Sequence, residues 1–186
     1  MSSKGIVIVD IDGCLTDYPN VFLSWLSEHK GISFNNLEDL KNSMSKYKYE
    51  KLKYSYRISG IKRKLPINKN AKETLEKMKN KGMKIWIATK RPNWEPVVSD
   101  TKYWLKENNI PWDNLFFIKN KKIFLKNYTG NSIKIVIDDD NDIIDFVSKD
   151  MDAHAFYFTN KKKDNNNKKI TEVASWIEIR KYLDNF

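Results

Sequence analysis

Three nearly continuous apolar runs punctuate the chain, GIVIV, MKIWIA and IKIVI, and each stops at a polar cluster. Runs of this kind suit strands covered on both faces of a parallel sheet. They predict core strands at 5–10, 83–88 and 133–138, with shorter ones at 115–118 and 155–158. Between them the apolar spacing becomes helical. Ala71, Leu75 and Met78 predict a helix over 70–81 that stops at Gly82. Val97, Thr101, Trp104 and Leu105 predict another over 96–107, and Ile143, Ile144 and Val147 a third over 141–149. Asn141 is placed to cap the third helix, and Asp142 to favour its first turn through the helix dipole. Ser175 and Glu178 form a capping box that opens a final helix, with Ile179 and Leu183 inward. Strands alternating with helices predict an α/β fold with a doubly wound, Rossmann-like parallel sheet.

The interval 18–65 breaks that rhythm, being too long for a simple crossover after the first strand. Phe22, Trp25 and Leu26 are spaced as on a helix, and an aromatic and basic stretch follows, with Tyr47, Tyr49, Tyr54, Tyr56, Arg57 and Lys62-Arg63-Lys64. It reads as a small helical cap inserted over the strand ends, dividing the chain into a core of 1–17 plus 66–186 and a cap of 18–65. The segment 160–169, NKKKDNNNKK, reads as a solvated loop.

Composition narrows the class. With 40% apolar residues and 13% aromatics among 186, the chain can bury a real core, so wholesale disorder is excluded. The net charge of +10 favours an anionic partner, either a phosphorylated small molecule such as a nucleotide or nucleic acid. Lysine is spread over the whole chain, however, so charge alone does not mark a binding surface. The one cysteine, Cys14, forbids an intrachain disulfide and fits a reducing compartment. No apolar stretch is long enough to span a bilayer and no signal pattern opens the chain, so a cytoplasmic protein without a membrane partner is expected.

The chemistry lies where the apolar runs end. The first run leads into Asp10-Ile11-Asp12-Gly13, the second into Thr89-Lys90-Arg91-Pro92, the third into Asp138-Asp139-Asp140. In a parallel sheet these ends share one edge, where ligands bind. Carboxylates gathered there repel one another unless a divalent cation joins them, and an all-oxygen set suits Mg²⁺. Two aspartates flanking one residue can divide phosphoryl transfer between them: one attacks phosphorus, the other moves protons. Asp-Gly is also a common turn pair, so the first cluster alone decides little. An EF-hand is excluded, since the twelfth position of such a loop would be Val21. Thr89 ends its strand where a hydroxyl can hold a phosphate oxygen, and Lys90 and Arg91 make the next loop basic. Asp140 is expected to face solvent. A cation bridging nucleophile and phosphate is sought among Lys119, Lys121, Lys122 and Lys126, and Lys121 is preferred. No Walker loop or dinucleotide glycine fingerprint is present.

On these residues the chain resembles the haloacid dehalogenase superfamily of phosphohydrolases. Asp10-Ile11-Asp12-Gly13-Cys14-Leu15-Thr16-Asp17 is similar to its opening signature, with Cys14 where Thr is usual; Thr89 fits the second motif and Asp138-Asp139 the fourth. The resemblance implies Asp10 as nucleophile, Asp12 as acid and base, and Mg²⁺ held by Asp10, the Asp12 carbonyl, Asp138 and Asp139. LPINKNAKETLEKMKNKGMKIWIATKRP followed by TKYWLKENNIPWDNLFF looks like the 5′(3′)-deoxyribonucleotidase group, while the Thr-x-Arg-Pro element is shared with polynucleotide 3′-phosphatase domains. In such enzymes the cap selects the substrate, so Tyr56 and Arg57 are expected to meet a base or a second anion, beside Lys90 and Arg91 near the phosphate. The expected activity is phosphomonoester hydrolysis on a nucleotide. The alternatives are a polynucleotide 3′-phosphatase or other small-metabolite phosphatase, and a non-catalytic basic nucleic-acid-binding protein on the same fold.

Overall fold

The computed structural model describes residues 4–128, 133–160 and 167–184. Among them, six parallel strands alternate with helices. β1 (Ile6–Val9) is followed by α1 (Asn20–Lys30), α2 (Leu37–Asn42) and α3 (Lys46–Ile58), then a 3₁₀ turn at Ile61–Arg63. α4 (Ala71–Asn80), β2 (Lys84–Thr89), α5 (Val97–Glu107), β3 (Asn114–Phe117) and α6 (Lys121–Asn127) come next. β4 (Ile133–Asp138), α7 (Asn141–Asp150), β5 (His154–Phe158), β6 (Ile170–Val173) and α8 (Trp176–Asp184) complete the chain. The strand order is β3-β2-β1-β4-β5-β6. The winding reverses at β1, and a crevice for ligands opens beyond the strand ends at such a reversal.

Both faces of the sheet are covered, which is why its central strands carry no polar alternation. Val7 and Val9 of β1 pack with Ile85, Ile87, Leu75, Trp104 and Ile179 on one face. Ile6 and Ile8 pack with Val136, Ile143, Val147 and Leu125 on the other. A register shift between β1 and β4 pairs Ile6 with Ile133 but Val7 with Ile135, so Ile133 and Ile135 join opposite cores. The register carries the chemistry with it. One step beyond the last pair, Val9 with Ile137, Asp10 and Asp138 stand side by side, and the Asp10 amide donates to the Ile137 carbonyl at 3.0 Å.

The predicted strands and helices are present, each within a residue or two of its expected ends. Two elements were not anticipated. α6 is a seven-residue helix whose lysines read as a charge run, and Asn120 caps it by accepting from the Ile123 amide at 3.1 Å. β6 is a short edge strand beside β5, beginning at Ile170, where a loop was expected to be ending; residues 161–166 of that expected loop lie outside the described set. At the start of α7, Asp140 rather than Asn141 is the cap, accepting from the Asp142 amide at 3.0 Å. Asp142 does sit in that first turn.

Residues 18–65 build their own apolar cluster. Phe22, Trp25 and Leu26 of α1 meet Leu40 of α2 and Tyr49 and Tyr56 of α3, with Phe22 and Tyr56 ring centroids 5.0 Å apart. At the opposite end of the chain, α8 packs on α4 and reaches the loop after β1. Trp176, fully buried, donates its indole N–H to the Cys14 carbonyl at 2.8 Å, and the Asn68 amide donates to the same oxygen at 2.7 Å. Trp176→Ala should lower unfolding stability by about 3–5 kcal/mol, the usual range for emptying a large core site. Trp176→Phe, which keeps an aromatic ring but loses the donor and part of the volume, should lose less than Trp176→Ala but at least about 1–2 kcal/mol. Urea midpoints measure both; unchanged midpoints would mean that α8 is not coupled to this loop.

Candidate active site

The carboxyl ends of β1, β2 and β4 frame a cavity of about 380 Å³ whose walls come from these ends, the β2–α5 loop, the start of α6 and the helical segment 18–65. Its floor is acidic. One carboxylate oxygen from each of Asp10, Asp138 and Asp139 lies within 4.8 Å of the others. Lys121, the first residue of α6, enters from the side with a side chain only 1% exposed, 2.9 Å from Asp10 Oδ1 and 2.6 Å from Asp138 Oδ2. Burial alone would lower the lysine's affinity for its proton, but Asp10 and Asp138 outweigh it and raise its pKa above the ordinary value.

Lys121 does not satisfy all this negative charge. Burial first, then Asp138 and Asp12, push the Asp10 carboxyl up to about 6 despite Lys121. Burial, then Asp10 and Asp138, push Asp139 up to about 8. Two carboxyls held above their ordinary range by burial and by neighbouring aspartates form a site that favours a further cation. The backbone makes room for it: Gly13 has φ +95°, and a Cβ there would fall 2.1 Å from Asp139 Oδ2. Only glycine lets the first loop and the Asp139 carboxylate come this close. Three carboxylates of this kind fit a hard, oxygen-preferring divalent cation such as Mg²⁺.

Asp12 belongs to a different environment. Its carboxylate accepts from Arg91, with Nη2 at 2.6 Å and Nε at 3.1 and 3.2 Å, and Lys62 Nζ lies 3.7 Å away. Burial would raise its pKa, but Arg91 and then Lys62 overcome this and hold the group well below the usual carboxylate range. Arg91 is itself buried, bonds Thr101 Oγ1 at 3.1 Å and lies over the Trp104 ring. The two aspartates of one short motif are thus pushed in opposite directions, Asp10 towards the proton and Asp12 away from it.

The remaining sequence-predicted residues take varied places. Thr89 is buried, and its hydroxyl accepts from the Arg91 amide at 3.2 Å, shaping the loop. Lys90 reaches across to Asp140 at 2.5 Å. Asp140, expected to face solvent, is instead a wall of the cavity and the cap of α7. Tyr56 is 2% exposed and packs in the aromatic cluster, yet it also lines the cavity, as does Arg57. Lys119, Lys122 and Lys126 are not among the cavity's lining residues. Lys62 also lines the cavity, within the aromatic and basic stretch the sequence singles out, whereas two lining residues, Lys53 and Tyr18, escaped the sequence reading because they carry no local signal. Lys62 is 4% exposed, and burial, then Arg91, lower its pKa to about 7 despite Asp12.

Comparison with known proteins matches this arrangement to a family. Residues 4–183 match the family described as 5′ nucleotidase, deoxy (Pyrimidine), cytosolic type C protein. A search of curated proteins gives no match. Among solved structures, a Thermotoga maritima protein described as a candidate β-phosphoglucomutase is similar with TM-score 0.66 and 16% identity, over 97% of this chain and 99% of that one. A HAD-superfamily hydrolase from Ehrlichia chaffeensis is similar with TM-score 0.56 and 14% identity, over 100% and 98%. The Pnkp1/Rnl/Hen1 RNA repair complex contains a chain similar with TM-score 0.52 and 18% identity, over 82% of this chain and 41% of that one. At such identities the likeness concerns the fold. The family match covers nearly all of the sequence, and the chain belongs to the cytosolic type C deoxy-nucleotidase family within the HAD superfamily of phosphohydrolases.

Proposed function

We propose that the protein is a cytoplasmic, Mg²⁺-dependent phosphomonoesterase that acts on a nucleotide through an aspartyl-phosphate. The supporting observation is the set Asp10, Asp138, Asp139 and Lys121 at the strand ends, all but Asp139 buried, with Asp12 two residues from Asp10 in a cationic setting of its own. The segment 18–65 serves as the cap and 1–17 with 66–186 as the catalytic core. Asp10, Asp138 and Asp139, with the Asp12 carbonyl, would hold the metal. When bound, the cation would offset the carboxylate repulsion and draw charge from the phosphoryl oxygens.

In the first step an Asp10 oxygen attacks phosphorus, the ester P–O bond breaks, and the leaving oxygen takes a proton from Asp12. In the second, water attacks phosphorus, Asp12 takes its proton, and the bond to Asp10 breaks to release orthophosphate. Arg91 and Lys62 keep Asp12 ionised before substrate arrives. A substrate phosphate offers those cations a competing anion, which lets Asp12 rise towards the protonated form needed in the first step. Lys121 steadies Asp10 and faces the transferred phosphoryl group; Lys90 lines its approach, and Thr89, buried beneath, shapes the loop that carries Lys90 and Arg91. The second reading, a 3′-phosphatase for polynucleotides, draws on an aromatic pair at the surface: Tyr54, 54% exposed, lies with its ring centroid 5.8 Å from that of the half-buried Trp94, two residues beyond Pro92. Such pairs suit stacking on bases.

Asp10→Asn should abolish phosphate release from nucleoside monophosphates and from p-nitrophenyl phosphate while the circular dichroism stays that of the starting protein. Substantial turnover in a clean Asn variant would rule out Asp10 as nucleophile. Asp12→Asn should slow turnover by about 10²–10⁴-fold, most on substrates with poor leaving groups.

Cation binding should depend on pH in a defined sense. Asp10 and Asp139 have raised values, about 6 and about 8, so protons compete with the metal below them. The metal-free fold should lose stability as pH rises through that window, and Mg²⁺ should restore it there. The rise in melting temperature caused by Mg²⁺ should therefore be larger at about pH 8.5 than at about pH 5.5. An equal rise at both would remove these carboxylates from the cation site.

A further inference from the structure

Six cationic side chains line the cavity, and four of them are paired with its own carboxylates: Lys62 and Arg91 with Asp12, Lys90 with Asp140, Lys121 with Asp10 and Asp138. The other two, Lys53 and Arg57, lie one turn apart on α3. Among the described residues Lys53 has no ion pair within 4.0 Å, Glu50 and Asp12 acting on it only from further off; its ammonium lies over the rings of Tyr18 and Tyr49, at 5.4 and 5.7 Å from their centroids. Arg57 has only Glu50, at 4.0 Å, and Glu50 does not line the cavity. Like charges four residues apart on a helix repel, and here partial burial deepens the cost: burial, then Arg57, lowers the pKa of Lys53.

A third group points to the same spot. Tyr56, between these two on the same helix face, is 2% exposed, lines the cavity, and its hydroxyl has no hydrogen-bond partner. A buried hydroxyl without a partner costs about 1–3 kcal/mol unless a ligand supplies one. An ammonium, a phenolic O–H and a guanidinium at spacing i, i+3 and i+4 can all donate, and the two cations cannot accept, so the set suits an anion.

We propose that this face of α3 is a subsite for a second phosphate carried by the substrate, so that the preferred substrate is a nucleotide with a further phosphate close to the one removed. The inference rests on the phosphomonoesterase reading above but concerns residues with no part in the chemical steps. The second phosphate belongs either to a free nucleoside bisphosphate or to the neighbouring phosphodiester of a 3′-phosphorylated oligonucleotide. Both present the same anion to Lys53, Tyr56 and Arg57.

The test compares kcat/KM, with Mg²⁺, for thymidine 3′,5′-bisphosphate, the two thymidine monophosphates and the 3′-phosphorylated dinucleotide TpTp. The doubly charged substrates should exceed the better monophosphate by about tenfold or more, as charge-assisted hydrogen bonds would give. Lys53→Gln, Arg57→Gln and the isosteric Tyr56→Phe should each reduce that ratio at least several-fold, whereas Lys51→Gln, on the exposed face of α3, should leave it in place. Preference for the bisphosphate alone identifies a free nucleotide; equal preference for TpTp identifies a chain end. Calorimetry of the same compounds on Asp10→Asn gives a readout without turnover. If no ester is hydrolysed, the phosphomonoesterase reading fails, and tighter binding of the bisphosphate than of either monophosphate still supports the subsite. Equal handling of singly and doubly charged compounds, or losses in the α3 variants that are the same for both, overturns it.

Discussion

The Lys121 ammonium sits buried between Asp10 and Asp138, and a buried ammonium is tolerable only where its charge is met on the spot. Breaking a buried pair by removing one partner typically costs about 3–5 kcal/mol, since the other charge stays behind. The pair therefore ties together three parts of the fold: the end of β1, the end of β4 and the first turn of α6. None can move without stranding a charge. β1 must lie beside β4 for the two aspartates to flank one another, and β3 must lie on the far side of β2 for α6 to begin where it does. The strand order and the site are in this sense one constraint.

Around that pair the site sorts two aspartates into opposite states. Asp10 faces other carboxylates in a buried floor; Asp12 faces a guanidinium and an ammonium. Groups whose environments drive their proton affinities apart are suited to separate roles. Arg91 is central to this division. Its fork is held by Asp12, Thr101 and the Trp104 ring, so any anion that enters the cavity must compete with Asp12 for it. Lys62 brings the helical segment into direct electrostatic contact with the same carboxylate.

Much of this was legible in the chain. The three apolar runs could only be buried parallel strands, and because each ends on a chemically suited residue, the convergence of Asp10, Thr89 and Asp138 followed from topology. Among the four candidate lysines, Lys121 lies between the aspartates, while the others look the same in sequence and differ only in position, Lys119 ahead of the cap of a short helix and Lys122 and Lys126 elsewhere on it. α6 and β6 were missed because seven and four residues give too little periodicity to separate helix, strand and loop. Lys53 was invisible, and Lys62 could not be told from its basic neighbours, for a different reason: a buried lysine and a solvated one share one letter, and only the packing of Tyr49 and Tyr56 beside them takes these two out of water. Asp140 caps α7 through a local bond from the Asp142 amide, but its place in the cavity wall depends on a tertiary neighbour, Lys90, fifty residues away.

The carbonyl of Cys14, in the loop that carries Asp10 and Asp12 into the cavity, receives its two hydrogen bonds from Asn68 and Trp176. The second donor lies 162 residues downstream. During synthesis, therefore, the turn that presents Asp10 remains half-fastened until those 162 residues have been made and have left the exit tunnel. A nascent chain that stops short of Trp176 carries the carboxylates without the fastened loop that aims them.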